Sequence, residues 1–175
     1  HAEDVPTSPW RGMMTIPRAL SLSLRDGRYE LVQQPVRELV TLRRDAVTQS
    51  AMPIASGETA LPSVAALGGS MELDIALRPG TSGETGLVLS YGVGTRLRIG
   101  YDARNQHVFV DRSEGGSFDR DSFRARHYAP VHLVDGALRM RIFLDHSSVE
   151  VFADDGARVI SDAIFPDGAL HGVST

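Results

Sequence analysis

"LRMRIFLDHSSVEVFADDGARVISDAIFP", residues 138–166, decides the fold. Leu138, Met140, Ile142 and Leu144 recur at every second position, the period of a strand with one face on a core and one in water. After Asp145 and His146 a second run sets Val149, Val151 and Ala153 against Ser148, Glu150 and Phe152. Asp154-Asp155-Gly156 then interrupts the pattern, as turn residues do. With Val149 and Val151 turned inward, Glu150 points outward. The stretch poses a choice between acids that carry out chemistry and one more hairpin in a chain of hairpins.

Working outward, the same period returns. "MELDIAL" sets Met71, Leu73, Ile75 and Leu77 on one face, and "TRLRIGYD" does so with Leu97, Ile99 and Tyr101. Turn signals separate these runs at 78–86, 91–95, 102–106, 113–117, 134–137 and 154–157. Short strands with turns every 8 to 12 residues make an all-β chain. Each strand has one wet face and needs a second layer over the other, so an antiparallel sandwich or barrel follows. No long amphipathic helix is predicted; residues 58–67, "ETALPSVAAL", allow a turn or two of helix before Pro62 interferes.

The N-terminal third reads differently. A strand is expected over 12–24, a hairpin turn at Asp26-Gly27 and a second strand over 28–33, with Pro35 ending the ladder. Residues 46–70 are small, polar and rich in Gly and Pro, as in a segment crossing between two units. The expected division is therefore 1–35 as a first unit, 36–70 as linker and approach, and 71–175 as the main β unit.

Composition narrows the function. A chain of 175 residues buries about 70% of its unfolded surface without staples. It has no cysteine, which excludes disulfides and thiolate chemistry. Its 18 Lys+Arg and 22 Asp+Glu give −4 with the signs interspersed, so there is no basic run to track phosphates and nucleic acid is not expected. No apolar stretch approaches the roughly 18 residues of a membrane span, and the first ten residues lack the basic and apolar parts of a signal peptide. The beginning reads as cut from something longer.

Each candidate site has a bland counterpart. Glu72 and Asp74 in "ELDI" fit part of a Glu-x-Asp-x-(x)-Glu strand, which sets carboxylates roughly 6.6 Å apart per two residues on one face. The third acid is missing: Leu77 stands in its place, and the pair reads as a solvated face. Asp145, His146 and Glu150 read the same way, with Asp145 and His146 held in a turn or by a cross-strand hydrogen bond. The histidines at 1, 107, 127, 132, 146 and 171 show no metal-ligand spacing. Gly115 and Gly116 in "DRSEGGS" would let a ligand approach the backbone, but Gly-Gly between strands is ordinarily a turn. Trp10 is the only tryptophan, and its place beside "RGMMTIPR" suits packing at a module junction better than a sugar platform.

Two motifs carry a resemblance. "DVPTSPWRGMMTIPRALSL" with "DGRYELVQQPVREL" closely resembles the end of the catalytic five-bladed propeller of glycoside hydrolase family 32, the invertases, inulinases and levanases. There Trp-Arg-Gly, a Pro-Arg pair and Gln-x-Pro close the last blade. "VDRSEGGSF" and the stretch 138–166 resemble the C-terminal β-sandwich of the same enzymes, in the same order. The resemblance implies a two-layer antiparallel, concanavalin-like β-sandwich preceded by the terminal strands of a propeller blade. It also implies retaining hydrolysis or transfer of β-fructofuranosyl groups from levan, inulin or sucrose.

The family's two catalytic aspartates and its acid/base glutamate lie in Trp-Met-Asn-Asp-Pro-Asn-Gly, Arg-Asp-Pro and Glu-Cys motifs, and none of these occurs here. Asn105 is the only asparagine. No catalytic, cofactor or metal residue is therefore assigned, and no cofactor is called for. The expected role is a noncatalytic module that stabilises the propeller; a fructan-binding module and, less well supported, a sandwich glucanase stay open as alternatives. The resemblance implies the propeller as partner, leaves fructan and a second copy of the chain open as others, and points to an extracellular location. It also implies one more strand beyond "HGVST", so that an uncovered sheet edge is expected there.

Overall fold

The computed structural model describes residues 4–81, 83–116, 118, 120 and 122–175. Among them, eleven strands form three antiparallel sheets. β1 (Arg18–Arg25) and β2 (Arg28–Pro35) pair as a hairpin across Asp26-Gly27, whose φ values of 48° and 76° suit a two-residue turn matched to strand twist. β3 (Met71–Leu77), β8 (Leu138–Asp145), β9 (Ser148–Ala153) and β10 (Arg158–Ala163) form a four-stranded sheet in the order β10-β9-β8-β3. β4 (Glu84–Tyr91), β5 (Thr95–Asp102), β6 (His107–Glu114), β7 (Arg126–Pro130) and β11 (Leu170–Ser174) form the second, in the order β11-β4-β5-β6-β7.

The register explains why the alternation forms a core. Leu144 lies opposite Val149, Ile142 opposite Val151, and Met140 opposite Ala153, so both alternating sets face the same way. One buried cluster joins them to Leu87, Leu89, Leu97, Ile99, Val108 and Val110 of the five-stranded sheet. The fold is an all-β, two-layer antiparallel sandwich, one of the two architectures the period of two left open and the one the resemblance implied.

Several expectations change in detail. β1 starts at Arg18, later than the run from 12, because Pro17 has no N–H for a ladder and Gly12 takes a φ of 88°. Pro62 opens the short helix α1 (Pro62–Ala65) rather than interfering with one, since a missing N–H is harmless in the first turn. The outer edge of β11 is covered: Thr59 and Thr175 exchange backbone hydrogen bonds at 3.0 and 2.9 Å, and the Leu61 N–H donates to the Val173 carbonyl at 2.7 Å. No helix among the described residues is long and apolar enough to cross a membrane.

Candidate functional site

The chain from 16 to 43 covers the outer face of the four-stranded sheet, the face that alternation assigns to water. Glu150 is the centre of this seam. It points away from the sandwich core as expected, yet it is only 4% exposed, which corrects its reading as a solvated acid. The Ile16 N–H donates to Glu150 Oε1 at 2.8 Å, and Arg18 Nη2 donates to Oε2 at 2.5 Å and to Ser161 Oγ at 2.7 Å. The Arg18 guanidinium also lies 5.2 Å from the Phe152 ring centroid. An unpaired carboxylate so enclosed would lose its hydration without return, so the arginine is what permits the burial.

The Asp154-Asp155-Gly156 break proves to be the hairpin's second anchor. These residues form a 3-10 turn in which both aspartates take a φ of 51° and Gly156 one of 86°. Arg25 Nη1 donates to Asp154 Oδ2 at 2.6 Å, and this hydrogen bond raises the pKa of the arginine. Gln34 donates to the Asp155 carbonyl, and Arg158 Nη2 lies 3.2 Å from Glu30 Oε1. A Cβ at Gly156 would stand 2.2 Å from the Gln33 carbonyl, so the β2 backbone packs directly on the turn.

Glu72 is likewise no solvated acid. Arg43 holds both its oxygens at 2.6 and 2.8 Å, and Arg141 Nε donates to Oε1 at 2.5 Å. Burial pushes the carboxyl up, but the hydrogen bonds from Arg43 and Arg141 outweigh it, and the net pKa is lowered. A carboxylate clamped in this way keeps its charge near neutral pH and has no proton to give. Asp74, one repeat along, is exposed and lies opposite Arg141.

The other sequence candidates fall apart in space. Asp145 accepts from Ser70 Oγ at 2.7 Å and from the His146 N–H at 2.8 Å, a turn arrangement in which the Ser70 hydroxyl lowers its pKa. His107 stacks on Tyr128 with centroids 4.9 Å apart, and His127 pairs with Asp162. No group of three potential metal ligands occurs among the described residues, and His1 lies outside them. Gly116 takes a φ of 56°, and a Cβ there would meet the Phe165 carbonyl at 1.8 Å; the glycine serves close chain packing. Trp10, expected to pack, stands 68% exposed.

The hairpin turns its polar side to its own sandwich and its apolar side to solvent. Leu20, Leu22 and Leu24 are 62–68% exposed, and Leu31 and Tyr29, paired opposite Leu22 and Leu24, are 50% and 74% exposed. A ladder of this kind is inverted relative to ordinary surface strands. Sequence reasoning missed Arg18 and Glu150 as partners. The signal lay in Phe152, an apolar residue on a nominally wet face, and in the Pro17-Arg18 pair.

A family model described as "Glycosyl hydrolases family 32 C terminal" matches residues 38–175. The chain belongs to that family. It is 37% identical over 176 residues to the levanase of Bacillus subtilis (strain 168), a match covering 99% of this chain and 26% of that protein. It is 29% identical over 180 residues to an extracellular exo-inulinase of Aspergillus awamori, covering 98% of this chain and 33% of the relative. The crystal structure of an exo-inulinase from Aspergillus awamori superposes with a TM-score of 0.60 at 26% identity, over 99% of this chain and 37% of that one. This family 32 chain thus spans about a fifth to a third of the length of the curated relatives it matches. The glycosidase family suggested by the Trp-Arg-Gly and sandwich motifs is the one found.

Proposed function

We propose that this chain is the noncatalytic β-sandwich module of a secreted, fructan-degrading family 32 enzyme. Its parent activity is hydrolysis or transfer of β-fructofuranosyl groups from levan, inulin or sucrose. Its own task is to hold a catalytic propeller in place. The observation that carries the reading is the inverted hairpin: the ionic seam fixes β1 and β2 to the sandwich, and the exposed ladder of Leu20, Leu22, Leu24, Leu31 and Tyr29 is left as a surface for more of the propeller. These side chains are already a quarter to a half covered, so covering the remainder of each contributes about 1–2 kcal/mol. The extracellular location rests on relatives such as the extracellular exo-inulinase.

The test has two arms. The isolated chain should release no fructose from levan, inulin or sucrose; measurable turnover would overturn the noncatalytic assignment. Added in trans to a family 32 propeller, the chain should raise the propeller's melting temperature, and Leu22→Asp with Leu24→Asp should abolish the effect. A propeller indifferent to the unmodified chain would sink the scaffold role.

A further inference from the structure

Between the short 3-10 helix Arg37–Leu42 and α1 the chain has no helix or strand of its own. The connection exceeds the roughly 12–15 residues beyond which structureless loops are uncommon in a compact domain, and such loops are usually linkers or functional. Residues 44–51 are exposed without exception. Among the described residues, no backbone N–H or carbonyl from 44 to 58 is hydrogen-bonded, and no side chain from 44 to 57 holds a polar partner. The stretch nonetheless bridges two fixed points. On one side Arg43 holds both oxygens of Glu72. On the other, Met52 packs against the sandwich core, Glu58 pairs with Arg96, and Thr59 is bonded to Thr175.

Other exposed connections differ. Asp26-Gly27 and Asp135-Gly136 are two-residue turns closed by the paired residues on either side. Near residue 120 the Arg120 carbonyl accepts from the Phe123 and Arg124 N–H groups at 2.8 and 2.9 Å. A protease cleft takes several residues of extended backbone whose N–H and carbonyl groups are free to bond to it, and tight turns present no such run. Asp45 has a φ of 50°, but no hydrogen bond maintains it, so the residue straightens without losing a contact.

We infer that residues 44–51 are a cleavage site for an endopeptidase, and that the chain cut there stays a single particle. In the step, water adds across one peptide bond. The carbonyl carbon takes the hydroxyl, the nitrogen takes the proton, and a carboxylate and an ammonium are left in solvent. No hydrogen bond of the fold depends on the link that breaks. The seam, by contrast, crosses the cut: Arg18, Arg25 and Arg43 lie on the N-terminal piece, and their partners Glu150, Asp154 and Glu72 lie on the other. The Gln33 carbonyl packs on Gly156 across the same divide. Once the seam has formed, the covalent link between the hairpin and the sandwich is dispensable. The inference stands apart from the scaffold reading, since it concerns contacts within this chain alone.

The test is a brief digestion of the chain with subtilisin, a protease of broad specificity, followed by fragment masses and size-exclusion chromatography with and without denaturant. The first cut beyond Arg18 should fall within 44–51. The two pieces should co-elute in native buffer and separate in denaturant; recombined in a calorimeter, they should bind with a Kd below about 1 μM. Arg25→Gln removes the bond to Asp154 at a side chain that is 34% exposed, so the fold should tolerate it. It should leave the cut where it is and raise the Kd at least about threefold. A first cut beyond Arg18 that falls outside 44–51, pieces that part in native buffer, or an unchanged Kd in Arg25→Gln would overturn the inference.

Discussion

A carboxylate enclosed by Arg18, the Ile16 amide and the Phe152 ring is tolerable only while all of its partners stay in place. Removing one partner of a buried ion pair strands the other without water, and the loss is large for that reason. Glu150→Gln keeps the size and an acceptor for the Ile16 N–H but deletes the charge that Arg18 balances. It should cost about 3 kcal/mol of unfolding free energy, read as a lower denaturant midpoint. A change below about 0.5 kcal/mol would place the pair among exposed ion pairs and remove its role in the seam. All 18 basic residues are arginines, the chain having no lysine. That choice matters here, because the planar fork lets Arg18 bridge Glu150 and Ser161, and lets Arg43 hold both oxygens of Glu72.

At the scale of the element, the hairpin β1–β2 depends on the 3-10 turn at Asp154–Gly156. Backbone meets backbone there, and no side chain at 156 can give way. Gly156→Ala introduces a Cβ 2.2 Å from the Gln33 carbonyl at a φ of 86°, a strain of about 1–3 kcal/mol. The expected outcome is local: amide protection falls in β1 and β2 and stays as it was in β8 and β9. Equal protection in both regions would mean that the hairpin does not rest on this turn. The same elements mark what was legible in the residues. Asp26-Gly27 and the strands on either side of it could be read, because turn chemistry and strand period are local. The hairpin's docking could not, because Gln33 and Gly156 are 123 positions apart and nothing local links them.

For the whole molecule, the perturbed carboxylates share a direction. Glu72, Asp145 and Glu58 all have lowered pKa values. Arginine hydrogen bonds prevail over burial at Glu72, the Ser70 hydroxyl leads at Asp145, and Arg96 leads at Glu58. A group whose folded pKa lies below its unfolded one adds stability above the unfolded value, and that stability is lost as pH falls through the folded value. The melting temperature should therefore hold steady between about pH 5 and 8 and decline below about pH 4. Glu72→Gln should lower the neutral plateau and flatten the acid decline. An acid limb as steep in the variant as in the parent chain would show that Glu72 plays no part in it.

The sequence by itself determined the layers. A side-chain period of two, punctuated by Gly, Asp and Pro, leaves an antiparallel sandwich or barrel as the way to bury Leu138, Ile142, Val149 and Val151 at once, and the motifs around Trp10 and 138–166 were enough to place the family and, through it, the sandwich. Only the tertiary structure decided what lies over the outer face of the four-stranded sheet. Alternation states that Glu72 and Glu150 point away from the core, but pointing away from one core does not mean facing water. That depends on where residues 16–43 come to rest, which is set by contacts across 29 positions of chain at Glu72 and more than a hundred at Glu150 that no local pattern encodes.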